Sequence, residues 1–247
     1  MKRSTSAFTL ACASALYACA IAPAPQQQAF AQQAAPSKPA PAASNVDALL
    51  MQTRLHGFEV RVGRFEAASK AVAEMEEATR ANPGDARLWA GLGTAYFLQA
   101  NANFQPGGKL VDGLAAIQRA SEAHARALAI DPDNTAALSG HGTSMVILAA
   151  FQQKPEFREK GIAELNRAVA LSPKGTTARL QRAFSSINLP PSPARNANAI
   201  EDLGYLARLA NGTRSGDYVH VMLGDVQFEI GRTDLAWKER KLLVPPT

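Results

Sequence analysis

Residues 85–132 constrain the fold more than any other part of the 247-residue chain. This stretch begins DARLWAGLGTAYFLQA, in which Trp89, Leu92, Gly93 and Tyr96 follow one another at offsets of three, one and three. On an α-helix these offsets place all four residues along one side. A small residue between large ones lets a neighbouring helix approach closely, so the pattern predicts one member of a tightly packed helix pair.

The same stretch ends ASEAHARALAIDP, where Ala120, Ala127 and Pro132 close a second helix. The two segments together resemble a tetratricopeptide repeat (TPR), a unit of two antiparallel helices with a period of about 34 residues. The resemblance implies an all-α fold, a TPR-like α-solenoid of stacked helix pairs. It also implies a scaffold that binds a protein or peptide partner, without identifying that partner.

Prolines divide the rest of the chain into further units. Pro83, Pro132 and Pro173 each end a predicted helix, because proline cannot continue a helix interior. They lie 49 and 41 residues apart, which is longer than the family period and indicates insertions between paired helices. About five helix pairs are expected over residues 45–242, with a tail at 243–247. The resemblance is strong in the Trp89 unit, weaker in the third and fifth units, and weakest in the first and fourth.

The largest expected insertion lies in the Trp89 unit, where QPGGK at residues 105–109 must form a loop. Other parts of this insertion are expected to lengthen both flanking helices. Asn45 is expected to cap the first helix of the array, and Pro155 to begin the second helix of the third unit.

The amino terminus has the pattern of a secretory signal peptide. Lys2 and Arg3 precede a mostly apolar run at residues 7–22, and Ala29-Phe30-Ala31 provides a small-x-small exit. Residues 1–31 are therefore predicted to be removed, with cleavage after Ala20 as the second choice. The run is shorter than the roughly 20 residues of a membrane-spanning helix, although an uncleaved anchor is an alternative. Residues 32–44 are rich in Pro, Ala and Gln and are predicted to form a disordered linker.

Both cysteines, Cys12 and Cys19, lie inside this predicted signal peptide. The mature protein is therefore expected to have no disulfide, thiol nucleophile or thiolate metal site. Cys19 ends a segment that partly matches a bacterial lipoprotein box, although Tyr17 is bulky for that motif. A periplasmic protein is expected, with an envelope-anchored lipoprotein as the alternative and membrane contact only if Cys19 is lipidated.

Composition and motifs give no indication of catalysis. The chain's net charge of +5 falls to about +3 without Lys2 and Arg3, which is too weak to predict nucleic-acid binding. No two of the four histidines have metal-ligand spacing, and no HExxH motif occurs. His124 and His141 stand at repeat packing positions and are expected to be structural. We therefore expect no catalytic residue, no metal and no cofactor, and a protein that is not an enzyme. A structural lipoprotein and a non-catalytic subunit of a periplasmic enzyme complex are alternatives.

The TPR resemblance also implies a binding surface, because the first helices of successive units line a concave groove in that family. An apolar groove would suit an amphipathic helix or an extended apolar segment. The alternative is that insertions bury many of these positions. Carried over by repeat phasing, the groove candidates are Arg87, Thr94, Phe97, Leu98, Ser139, Thr143, Val146, Ile147, Phe184, Ile187, Tyr218, Asp225 and Phe228.

Overall fold

The structure is a computed structural model that describes the backbone of residues 41–243 and the side chains of 45–213 and 216–243. Within this range the chain forms ten α-helices and no strand, which confirms the all-α prediction. The helices are α1 (Pro41–Arg61), α2 (Glu66–Ala81), α3 (Ala86–Asn103), α4 (Leu110–Ile130), α5 (Thr135–Gln152), α6 (Pro155–Leu171), α7 (Thr176–Ile187), α8 (Pro193–Ala210), α9 (Arg214–Glu229) and α10 (Thr233–Arg240). The predicted signal peptide and most of the predicted linker lie outside the described residues. Helix α1 begins four residues before Asn45, its predicted cap.

Helix ends follow local sequence signals. Helices α2, α4 and α6 all end two residues before the prolines that were predicted to stop them. At the other end, the Asp85 carboxylate accepts a hydrogen bond from the Arg87 amide at 2.8 Å and caps α3. The Asn134 side chain caps α5 in the same way, and Pro155 occupies the first turn of α6 as predicted.

The helices pack as five consecutive pairs, α1/α2 to α9/α10, and the second helix of each pair also packs on the first helix of the next. The first helices α1, α3, α5 and α7 additionally contact one another in order. They therefore form a continuous row backed by the second helices, which is the arrangement of an α-solenoid.

The insertion in the second unit is distributed as predicted. Helices α3 and α4 have 18 and 21 residues, and the loop between them occupies residues 104–109. Gly107 has a φ of +90°, a conformation that glycine adopts without strain. The Phe104 ring packs over Gly113 of α4, where a Cβ atom would collide with it. This contact fixes the loop against the helix that follows it.

Glycines bring the helices of a pair close together, as the Trp89 pattern suggested. A Cβ atom on Gly142 of α5 would lie 2.7 Å from the carbonyl oxygen of Gly161 on α6, so the two backbones are in direct contact. Gly93 of α3 instead accommodates the imidazole of His124 from α4. Trp89 itself is half-buried against the core, and its Nε1–H donates to the Pro83 carbonyl at 2.8 Å.

Helix α5 is the centre of the core. Residues 137–149 are buried without interruption, because α3, α4, α6 and α7 all pack around α5. A helix that is buried on all sides is typical of a protein interior. No helix among residues 41–243 is long and apolar enough to cross a membrane. Helix α5 is thus a helix of the interior of the repeat domain.

Candidate protein-binding surface

The predicted groove is closed at α5. Ser139, Thr143, Val146 and Ile147 are all buried, with at most 6% of each residue exposed. The Thr143 hydroxyl donates to the Ser139 carbonyl one turn earlier, and Ser139 donates in turn to Thr135. The two hydroxyl groups are hydrogen-bonded within their own helix. All four side chains therefore pack in the core and do not line a surface.

The same correction applies to neighbouring first helices. Phe97 and Leu98 of α3 and Phe184 of α7 are also buried. The Phe97 ring packs against the His124 imidazole, with 5.8 Å between ring centroids. A partner could reach these aromatic rings only after the repeat domain opened. The helices packed around α3, α5 and α7 bury the positions at which repeat phasing placed a groove.

Two candidates on α3 remain accessible. Arg87 is exposed, and its guanidinium contacts Asp85 at 3.1 Å and Asp47 of α1 at 3.3 Å. Thr94 is exposed, and its hydroxyl donates to the Ala90 carbonyl at 3.1 Å. These two residues link or cap helices, and no large apolar residue of α3 is exposed beside them.

Helix α9 keeps an open face. Tyr218, Val221, Asp225 and Phe228 recur at offsets of three, four and three, which places them on one side of the helix; we call this the α9 surface. Phe228 is 63% exposed, Val221 is partly exposed and Tyr218 is half-buried. Asp225 lies between Val221 and Phe228 along the helix and pairs with Arg240 of α10 at 3.2 Å, so the surface contains an ion pair. Three of these four residues were candidates from the sequence, and the helical spacing from Tyr218 was the signal that pointed to Val221.

The half-buried Ile187 at the end of α7 is the remaining candidate. Its side chain packs against the same apolar cluster as Tyr218. The accessible apolar candidates of the predicted groove therefore lie at the carboxyl-terminal end of the array, in the fourth and fifth units.

A cavity of about 370 Å³ lies on the opposite side of α9. It is lined by residues of α8, α9 and α10 and of the turns that follow α8 and α10. These residues are Ile200, Gly204, Ala207, Arg208, Asn211, His220, Leu223, Gln227, Glu239 and Leu242. His220 Nδ1 is hydrogen-bonded to the Glu239 carboxylate at 2.7 Å, which leaves Nε2 buried without a protein partner. The Gln227 side-chain oxygen is also buried and unpartnered. Sequence reasoning missed the cavity because His220 and Glu239 are 19 residues apart and only folding brings them together.

A buried ion cluster joins α7 to α8. Asp202 is fully buried and accepts hydrogen bonds from Arg179 Nη1 and from Arg182 Nε, each at 2.6 Å. Burial raises the pKa of the Asp202 carboxyl, while the two guanidiniums act in the opposite direction. The pKa of Arg182 is raised in spite of its desolvation, because Asp202 and Glu201 stabilise its charge. Every charged group of this cluster has a partner, which is typical of a structural element.

Two further histidines also have structural partners. His141 Nδ1 contacts Glu164 of α6 at 2.5 Å, and His56 contacts Glu74 of α2 at 3.1 Å, so each links the two helices of its pair. Among the residues whose side chains are described, no three His, Cys, Asp or Glu side chains converge as metal ligands would.

No protein-family model matches the chain, and no curated protein matches it. The chain is, however, similar to solved structures. TTC0263, a thermophilic TPR protein of Thermus thermophilus, is 18% identical with a TM-score of 0.54, over 77% of this chain and 87% of that one. A crystal structure of MamA is 17% identical with a TM-score of 0.47, over 75% and 90% of the two chains. A second MamA structure, from AMB-1, is 20% identical with a TM-score of 0.47, over 77% and 94%. The similarity to TTC0263 shows that the chain has a TPR-like fold, in agreement with its sequence pattern.

Proposed function

We propose that this protein is an exported, non-catalytic scaffold that binds a protein or peptide segment at the α9 surface. Its TPR-like fold supports protein–protein interaction in general. The observation that carries the specific proposal is the position of Phe228, an exposed aromatic ring on the same helix face as Val221 and Tyr218. Aromatic anchors of this kind dominate the affinity of many interfaces.

The chemistry of the α9 surface defines the class of ligand. The α9 surface is an apolar strip with the Asp225–Arg240 ion pair within it. An amphipathic helix or an extended segment could cover Tyr218, Val221 and Phe228 with apolar side chains and place a polar group against the ion pair. The buried phenylalanines Phe97 and Phe184 have no part in this proposal.

The test compares two exposed phenylalanines from opposite ends of the array. Phe228→Ala is expected to weaken binding of a partner captured from an envelope extract by about 1–3 kcal/mol, that is, about 5- to 150-fold. Phe65 precedes α2 in the first unit and is 37% exposed, and Phe65→Ala is the control that should leave affinity near wild type. Affinities would be measured by titration, with circular dichroism to verify that both variants remain folded. Wild-type affinity in Phe228→Ala, or an equal loss in both variants, would rule out the α9 surface as the binding site.

We propose a periplasmic location on the basis of Lys2, Arg3, the apolar run and Ala29-Phe30-Ala31. The exported protein is expected to begin near Gln32 and to contain no cysteine. Amino-terminal sequencing and intact mass measurement of the protein from a cell envelope fraction would test this. An intact Met1 would contradict export with cleavage, and a lipid on Cys19 would instead establish an envelope lipoprotein.

A further inference from the structure

The first helix of the array carries an apolar stripe on its outer side. Met51, Leu55, Phe58 and Val62 are 50%, 54%, 56% and 57% exposed, and they recur at offsets of four, three and four. The residues that α1 buries against the core, such as Val60, lie on the opposite side of the helix. The terminal unit of a repeat array ordinarily presents a polar outer face, since nothing packs against it. This stripe is therefore a surface without a partner in the described fold.

The spacing of the stripe is that of a heptad repeat. Alternating offsets of three and four average 3.5 residues, and helices with apolar residues at that period pack side by side as a coiled coil. The exposed Ala48 stands at the preceding position of the same series, and Val62 directly follows the last helical residue. A second helix with the same repeat, such as α1 of another copy, matches the stripe along its whole length.

Charges beside the stripe select the orientation of that second copy. Arg54 precedes one stripe position, and Glu59 follows another, five residues later. In a parallel coiled coil, flanking positions separated in this way face each other across the two helices. Arg54 of each copy would therefore meet Glu59 of the other, whose carboxylate also contacts His56 at 3.0 Å and Arg64 at 3.7 Å within its own chain. An antiparallel pair would bring Arg54 close to Arg61, where like charges repel.

The segment directly before α1 offers no better occupant. The residues directly before α1, 32–40, read QQAAPSKPA and contain no large apolar side chain. They could not fill four consecutive heptad positions.

We propose that α1 is a self-association surface, through which two copies pair in parallel and in register along Met51, Leu55, Phe58 and Val62. Each copy contributes four large apolar side chains, and the two Arg54–Glu59 contacts flank them. The contact area is small for a permanent dimer, so association is reversible and depends on protein concentration.

A cysteine crosslink distinguishes this arrangement from the alternatives. In a parallel, in-register pair each residue of the stripe lies next to the same residue of the other chain. Leu55→Cys, in a background with Cys12→Ser and Cys19→Ser, should therefore form a disulfide-linked dimer on mild oxidation. Leu209→Cys in the same background is the matched control, because Leu209 of α8 is similarly exposed and lies outside the stripe. No crosslink at Leu55, or equal crosslinking at both positions, would overturn the proposal.

Sedimentation equilibrium gives the second measurement. The unmodified chain should show a concentration-dependent mass between monomer and dimer, and Leu55→Glu should raise the dissociation constant by about tenfold or more. Leu209→Glu should leave the constant unchanged. A strictly monomeric chain, or an assembly that persists in Leu55→Glu, would contradict self-association through α1. Circular dichroism of Leu55→Glu would verify that its helices remain folded, as expected for a substitution on an exposed face.

Discussion

Replacing Asp202 with asparagine is expected to destabilise the protein by about 3–5 kcal/mol. The wild-type carboxylate is fully buried and neutralises two guanidiniums of residues that are themselves buried, Arg179 and Arg182. The neutral amide keeps the shape but leaves part of that positive charge buried without compensation. The free energy of unfolding would be measured in denaturant for both proteins.

The chain provides a matched control in an exposed ion pair. Asp133 contacts Arg167, and more than half of each side chain is accessible to water. Asp133→Asn should therefore change the free energy of unfolding by at most about 1 kcal/mol. If both substitutions had equal effects, the charges between α7 and α8 would be solvated, and the cluster would not fix the pairing of these helices.

Acidification is expected to destabilise the protein through His124. Burial, together with the nearby His141, lowers the pKa of His124 from 6.5 to about 3 in the folded state. In the unfolded chain the imidazole binds a proton at its ordinary pKa, so acid favours unfolding. The stability that depends on neutral His124 is fully present above about pH 6.5 and is lost as the pH falls towards about 3. The shift corresponds to roughly 4–5 kcal/mol over that range.

His124→Gln isolates this contribution because glutamine does not titrate. The variant's free energy of unfolding should vary less steeply with pH than that of wild type between about pH 6.5 and 4. The comparison uses the slope and not the absolute stability, since the substitution also changes packing between Gly93 and Gly140. Equal slopes would mean that water reaches the imidazole in the folded protein.

Local patterns in the sequence determined the secondary structure and the repeat class. Pro83, Pro132 and Pro173 end helices through an effect of a single residue, and the Asp85 and Asn134 caps act within three residues. The insertion in the second unit was likewise predictable, because Gly107 and its neighbours cannot continue a helix. Interactions over so few residues depend on residue type and spacing alone, and not on how one helix packs on another.

Tertiary structure decided which side of each helix is accessible. Repeat phasing placed Phe97, Val146 and Phe184 on the groove side of their helices, as the family pattern implies. It does not show how many other helices pack around these residues. Burial depends on neighbours that are far away in sequence, and α5 is enclosed by four of them.

The same reason applies to the sites that sequence reasoning missed. Leu55 is an apolar residue of α1, yet only the fold shows that it faces away from the core. The pairing of His220 with Glu239 beside a cavity depends on the angle between α9 and α10. Local spacing determined that these helices form, and the packing of one helix on another determined which of their residues remain free to bind.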